Sequence, residues 1–236
     1  MESLKILAVI PTYNCESHIN RTLQNLIDAN LEISTVWIID NKSDDATVRN
    51  AQTFLFEHPN NYEIEIRQNP RNLGLGGTHK KAFHWALEGG FSHIAIIHGD
   101  FQSRAHNLKE MLELTQVKPE GFILGSRFMK KSTRVGYSNL RTFMNYIFNI
   151  LISIRTKCNI KDLGSGLNVF PLEEIKKIDY LECADDLTFN IDLLLRIVRN
   201  KQKIVWHPIE WHEDNQISNV RILSQTIATL KKIALS

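Results

Sequence analysis

The chain has 236 residues, 43% hydrophobic and 23% charged, with a net charge of +2 and a pI near 8.4. These proportions are ordinary for a soluble globular protein of one large or two small domains, and the charge is too mild to argue for a nucleic-acid partner. Cys15, Cys158 and Cys183 are widely spaced and odd in number, which fits neither a metal pattern nor a disulfide framework and points to a reducing compartment.

The opening MESLKILAVIPTYN has no basic leader and no small-residue cleavage site, so LKILAVIPTYN predicts a buried strand with a turn rather than a signal peptide. Ile19, Leu23, Leu26 and Ile27 then recur at helical spacing. STVWIIDN predicts a second buried strand. Ser43 or Asp44 is the expected cap of the following helix, whose inner face carries Val48, Ala51 and Leu55. YEIEIRQN alternates as a half-exposed strand does. NLGLGGT reads as a glycine-rich turn, and the helix after it, through His84 and Leu87, stops at Gly89-Gly90. HIAIIHGD is the next strand, Leu108, Met111 and Leu112 mark a helix, and GFILGSRF is a further strand.

Beyond residue 128 the pattern is less regular. FMNYIFNILISI (143–154) is shorter than the ~18 residues a membrane span needs. Asn145, Asn149 and Ser153 place a polar stripe on one face of this helix, which either packs on the core or lies in a membrane interface. KDLGSGLNVFP gives a turn and strand, 186–199 a helix, and KIVWHPIEW a last strand. No repeat, low-complexity tract or linker interrupts the chain, so a single domain over 1–236 is expected.

Continuous apolar strands between amphipathic helices imply an α/β fold, a mostly parallel sheet with helices on both faces. Ligands of such sheets bind at the carboxyl ends of the strands. Polar clusters fall there five times: Thr12-Tyr13-Asn14, Asp40-Asn41, 69–77, 99–102 and Ser126-Arg127. Asp100 and Gln102, two apart on an extended segment, point the same way and offer hard oxygen ligands of the kind Mg2+ or Mn2+ accepts, with a diphosphate completing the shell. Gly99 lets phosphates approach the backbone. Arg127 can neutralise a departing diphosphate, and Asp40 can accept hydrogen bonds from a nucleobase or ribose. The nine histidines show no zinc spacing, no G-x-S-x-G is present, and Lys80 comes too late after the glycines for a P-loop.

IPTYN (10–14), IIDNKSDDAT (38–47), NPRNLGLGG (69–77), HGDFQ (98–102) and ILGSRF (123–128) follow the order and spacing of family 2 glycosyltransferases, which the chain resembles from about residue 4 to 210. The resemblance implies the GT-A fold, with a nucleotide-sugar-binding half (1–128) and an acceptor-side half (129–236). HGDFQ stands where the family has Asp-x-Asp. RTFMNYIFNILI, KDLGSGLNVFP and LTFNIDLLLR are similar to segments of the dolichol-phosphate-mannose synthase and polyprenyl-phosphate hexosyltransferase branch. By that likeness Pro11, Tyr13 and Asp40 hold the nucleoside, with Asn41, Asn72, Gly74 and Gly99 as further contacts of the nucleotide sugar. Asp100 and Gln102 bind Mg2+ or Mn2+ and diphosphate, Arg127 contacts the phosphates, and Asp162 lies near sugar or acceptor. Asp162 and Asp186 are the candidate bases for a hydroxyl acceptor.

Four departures stand out: His98 replaces the first acid of Asp-x-Asp, Asn41 the second acid after strand two, Asn168 an arginine, and Glu213 and Asn219 two basic residues near Ser218, where Arg221 could compensate. The implied activity is inverting transfer of a hexosyl unit from a nucleotide diphosphate sugar to a polyprenyl-phosphate or lipid-linked glycan acceptor, in the cytoplasm, with peripheral contact to the inner membrane face through 140–154. The rival readings are a sugar nucleotidyltransferase and an inactive nucleotide-sugar-binding module.

Overall fold

Apolar runs that need burial on two faces, with the alternating edge segment Glu63–Gln68, become the strands of one sheet in the computed structural model, which describes residues 4–213. These are β1 (Ile6–Thr12), β2 (Thr35–Asp40), β3 (Glu63–Gln68), β4 (His93–Ile97), β5 (Phe122–Ser126), β7 (Leu167–Pro171) and β8 (Ile204–Pro208). They lie in the order β3-β2-β1-β4-β7-β5-β8. Every neighbouring pair is parallel except those of β7, which runs antiparallel to both β4 and β5. A second ribbon pairs β6 (Thr133–Val135) with β9 (Glu210–His212).

Side-chain alternation splits the core into two clusters. Leu7, Val9, Trp37 and Ile39 meet Phe83 of α3 (Gly74–Glu88), Phe148 of α5 (Asn139–Thr156) and Leu194 of α7 (Phe189–Arg199). Ala8, Ile10 and Ile38 meet Leu23 of α1 (Ile19–Ala29), Phe54 of α2 (Thr47–Glu57) and Met111 of α4 (Ala105–Val117). Phe83, Phe122 and Phe189 are fully enclosed, and burial of each contributes about 1.5–3 kcal/mol. The expected α/β sheet covered on both faces is therefore present.

Several local expectations change. NLGLGGT is not a turn: α3 begins at Gly74, so the glycines form its first turn. Neither Ser43 nor Asp44 caps α2; Asp45 Oδ1 accepts from Thr47 N at 2.9 Å and Thr47 Oγ1 at 2.5 Å, while Ser43 turns back to Asp40. The buried face of α2 is Thr47, Ala51 and Phe54, with Val48 and Leu55 only half-buried. KIVWHPIEW divides at Ile209 into β8 and β9, and a short α6 (Leu172–Ile175) follows β7.

The polar stripe of α5 faces the protein. Asn149 is buried and donates to the Lys161 carbonyl at 2.9 Å, Ser153 Oγ accepts from Ile160 N at 3.0 Å, and Asn145 donates to Tyr137 Oη at 3.1 Å. The stripe thus satisfies the backbone of the loop before β7, and Leu140, Phe143, Ile150 and Ile154 are exposed instead. No helix among the described residues is long and apolar enough to cross a membrane.

Candidate functional site

The parallel strands end on one rim, and the single reversed strand brings its leading loop, 160–166, to that same rim. Around β2 the rim is held by amides. Asn41 Nδ2 donates to Asn72 Oδ1 at 2.8 Å, while Asn41 Oδ1 accepts from Leu73 N at 2.8 Å and Asn69 Nδ2 at 3.0 Å. Asn72 Oδ1 also accepts from Gly74 N at 2.8 Å. Asn41 and Asn72, expected as nucleotide contacts, therefore serve first to fasten the β3–α3 loop to the end of β2. Asp40 is buried, its carboxylate accepting from Ser43 Oγ at 2.5 Å, Ser43 N at 3.2 Å and Gln68 Nε2 at 3.3 Å. Pro11 is buried with its carbonyl accepting from Gly99 N at 3.0 Å, whereas Tyr13 is exposed on the rim.

The glycines are explained by close packing. A Cβ on Gly99 would lie 2.5 Å from the Thr12 methyl, so its smallness lets β4 end against β1. Gly74 has φ +73°, and a Cβ there would meet the Asp185 carbonyl oxygen at 2.3 Å. At both positions contact with the protein itself already demands glycine.

Asp100 and Gln102 do come together, by a different route from strand alternation. β4 ends at Ile97, Phe101 adopts φ 60°, and the backbone N–H of Gln102 folds back to donate to Asp100 Oδ1 at 3.1 Å. This is an Asx-type turn. Burial pushes the Asp100 carboxyl up to about 6, opposed by the Gln102 amide and by His18 and reinforced by Glu213. Among the described residues no group of three His, Cys, Asp or Glu could hold an ion alone. One desolvated carboxylate nonetheless fits a hard cation that draws its remaining ligands from phosphate and water. His98, in the place of the other acid, lies against Gly166 and 5.5 Å from the His79 ring; burial pushes it down to about 4, and its Nε2 meets no partner among the described residues. It is a neutral wall of the site.

Arg127 and Asp162 form the charged part of the rim. Arg127 Nε and Nη2 reach Asp162 Oδ2 and Oδ1 at 2.9 and 2.7 Å, and Oδ2 also accepts the Arg127 backbone amide at 2.9 Å. Gly164 N donates to Oδ1 at 3.1 Å. The Asp162 side chain is 0% exposed. Four N–H donors, two of them from the guanidinium, enclose the carboxylate, so a proton from an acceptor would have to compete with them for its oxygens. Desolvation works against the Arg127 charge, but Asp162 outweighs it and holds the guanidinium above its ordinary value. Arg127 also lies 4.9 Å over Trp211, which bridges to Ser103, and the His212 amide donates to the Gln102 carbonyl at 2.8 Å. β9 thereby joins the Asp100 turn to Arg127. Asp186 is exposed beside the start of α3, its Oδ1 accepting from Thr188 N at 2.8 Å and Oγ1 at 2.6 Å.

Glu213 completes this region, held by Arg141 at 2.6 and 2.8 Å and close enough to act on both Asp100 and Arg127. The sequence marks Glu213 only as a departure, and His18 carries no signal at all, since both reach Asp100 through tertiary packing. Ser218, Asn219 and Arg221 lie outside the described residues.

Comparison with known proteins bears on family and fold. A family model described as Glycosyl transferase family 2 matches residues 7–178. An undecaprenyl-phosphate mannosyltransferase of Micrococcus luteus is 27% identical over 212 residues, covering 89% of this chain and 84% of that protein. A polyprenol monophosphomannose synthase of Mycolicibacterium smegmatis is 23% identical, covering 89% and 78%. A mannosyltransferase of Pyrobaculum calidifontis, solved with GDP-Man and Mn2+, superposes with a TM-score of 0.65 at 15% identity, over 97% of this chain and 62% of that one. The fold is that of GT-A glycosyltransferases.

Proposed function

Since the chain belongs to glycosyl transferase family 2, we propose that this glycosyltransferase moves a hexosyl unit from a nucleotide diphosphate sugar to a polyprenyl phosphate, with inversion. The observation that carries the reading is the rim itself: the desolvated Asp100 with Gln102, joined through β9 to an Arg127 locked in place by Asp162. The names of the relatives support the acceptor class.

Asp100 and Gln102 are the residues to hold Mg2+ or Mn2+, which when bound neutralises the diphosphate. Tyr13 and Asp40 border the nucleoside, with Asn41, Asn72, Gly74 and Gly99 shaping the rim beneath it. Arg127, held by two bonds to Asp162, meets the diphosphate with its direction already fixed, so little reorganisation accompanies charge development. The sugar carbon loses its bond to the diphosphate, whose oxygen takes the electron pair, while an acceptor oxygen forms the new bond on the opposite face. A phosphate monoester is already anionic and needs no base. With Asp162 engaged by Arg127, Asp186 is the remaining acid to touch the sugar or, for a hydroxyl acceptor, to take its proton.

The exposed apolar face of α5 supports peripheral contact with a membrane. Leu140, Phe143, Ile150 and Ile154 look outward, and the stretch from 121 to 161 contains Lys130, Lys131, Arg134, Arg141, Arg155, Lys157 and Lys161 but no acid, a charge suited to anionic lipid.

The test incubates the protein with undecaprenyl phosphate, Mn2+ and a panel of nucleotide sugars, with mass-spectrometric detection of product. A hexosyl-phosphate lipid from one donor is expected, and Asp100→Ala should lower its rate on the order of a thousandfold. Binding of nucleotide sugars without any turnover would instead favour the binding module, and pyrophosphate exchange the nucleotidyltransferase. If a glycan hydroxyl accepts the sugar while the lipid phosphate does not, the acceptor class is wrong.

A further inference from the structure

Beyond the place of Gly74 in the rim, the glycine-rich start of α3 and Lys80 have no share in the chemistry above, yet they are heavily committed to contacts with the protein. The first-turn amides that could receive a phosphate are taken by protein: Gly76 N and Gly77 N both donate to the Asp185 carbonyl, at 2.7 and 3.3 Å. A Cβ on Gly76 would stand 2.0 Å from the Ala184 carbonyl oxygen and 2.9 Å from Phe189. One turn further, the Lys80 ammonium reaches the Cys183 carbonyl at 2.9 Å, the Leu181 carbonyl at 3.2 Å and Asp185 Oδ1 at 2.5 Å. Three acceptors meet the three donors an ammonium has. The Lys80 side chain is 16% exposed, so its charge is largely withdrawn from water and depends on these partners.

The segment so gripped ends at Asp186, whose Cα would lie 3.7 Å from a Cβ on Gly74. The other side of the same helix start is fastened to β2, since Asn41 and Asn72 hold Leu73 N and Gly74 N. One short element therefore lies between the end of β2 and Asp186.

We propose that Lys80 is a positioning residue for sugar transfer: with the α3 glycine turn it holds residues 181–186 so that Asp186 is presented at a fixed place on the rim. This rests on the reading of Asp186 as a group that touches the sugar or its acceptor. An unfastened Asp186 remains tied to Thr188 but loses its register against the donor, and a misplacement of about 1 Å costs up to a hundredfold in rate.

The test compares the wild-type chain with Lys80→Met, Lys80→Arg, Asp186→Asn and the double variant Lys80→Met/Asp186→Asn. Lys80→Met is expected to lower kcat about tenfold while nucleoside diphosphate affinity, followed by thermal shift with Mn2+, changes less than about twofold. Lys80→Arg should recover most of the loss, and the Lys80→Met effect should vanish in the Asp186→Asn background. Amide exchange over 181–186 should rise about tenfold in Lys80→Met, a readout that needs no turnover. Equal kcat in Lys80→Met and wild type, an undiminished effect in the Asp186→Asn background, or unchanged exchange overturns the proposal. A wild-type chain inactive with every donor overturns the transferase reading instead, and is told apart because exchange and nucleotide binding still report the clasp.

Discussion

Two parts of one rim satisfy their polar groups by opposite means. Around Asn41 the bonding is carried mainly by neutral amides, donor to acceptor, with Asn69, Asn72 and Gly74 closing a ring of contacts. Around Arg127 it is carried by charge: a buried guanidinium on a buried carboxylate, with Glu213 and Asp100 in the same field. Apart from the Asp40 carboxylate, which Ser43 and Gln68 engage, the first part can shape a surface but has little electrostatic strength to offer a moving charge. The second carries that strength, at the cost of desolvation that only its partners offset. A polar residue at a strand end is therefore not evidence of ligand contact until its bonding capacity has been accounted for.

The sharpest way to break the contrast is to remove one charge. Asp162→Asn leaves Arg127 buried without its counter-ion, and a loss of about 3–5 kcal/mol in unfolding free energy is expected by denaturant titration. Asn41→Ala, in the amide region, should cost less, about 1–3 kcal/mol for the buried groups it abandons. It should also loosen the β3–α3 loop, visible as faster amide exchange at 72–74. If the two substitutions proved equally costly, the division into charged and neutral regions would fail.

A further effect depends on pH. His79, on α3, is enclosed beside His98, and burial first, then the neighbouring ring, pushes it down to about 3. Its folded value lies below the unfolded one, so the unfolded chain takes up the proton as pH falls below 6.5. The His79 share of stability should be lost at roughly 1.4 kcal/mol per pH unit between about pH 5.5 and 4, with His98 adding to the loss and Asp100 opposing it. His79→Phe should flatten that slope in urea titrations across the same range; an unchanged slope would assign the effect to other groups.

What the sequence discloses follows from how local each cause is. Two-sided burial writes itself as apolar runs, so the strands and the doubly covered sheet are legible. The approach of Asp100 to Gln102 is also local, although the turn responsible depends on a left-handed Phe101 that no residue type announces. The pairing of Arg127 with Asp162 spans 35 positions, and the embrace of Asp185 by Lys80 spans about a hundred. Such contacts leave no periodic trace. The α5 stripe shows the same limit: a polar row at helical spacing is visible, but its inward direction depends on backbone groups at 160–161 that only the fold brings near.

The reversed strand β7 has a consequence for assembly. It joins residues 167–171 to 93–97 on one side, and by two residue pairs to β5 on the other. Until it arrives, β4 and β5 each present a bare edge, so chain collapse leaves a gap through the middle of the sheet rather than at its margin. Closing that gap depends on contacts far apart along the chain, as His93 with Pro171, and such pairings carry a loop-closure cost. A polypeptide ending before residue 165 would keep both edges open to pairing with other molecules.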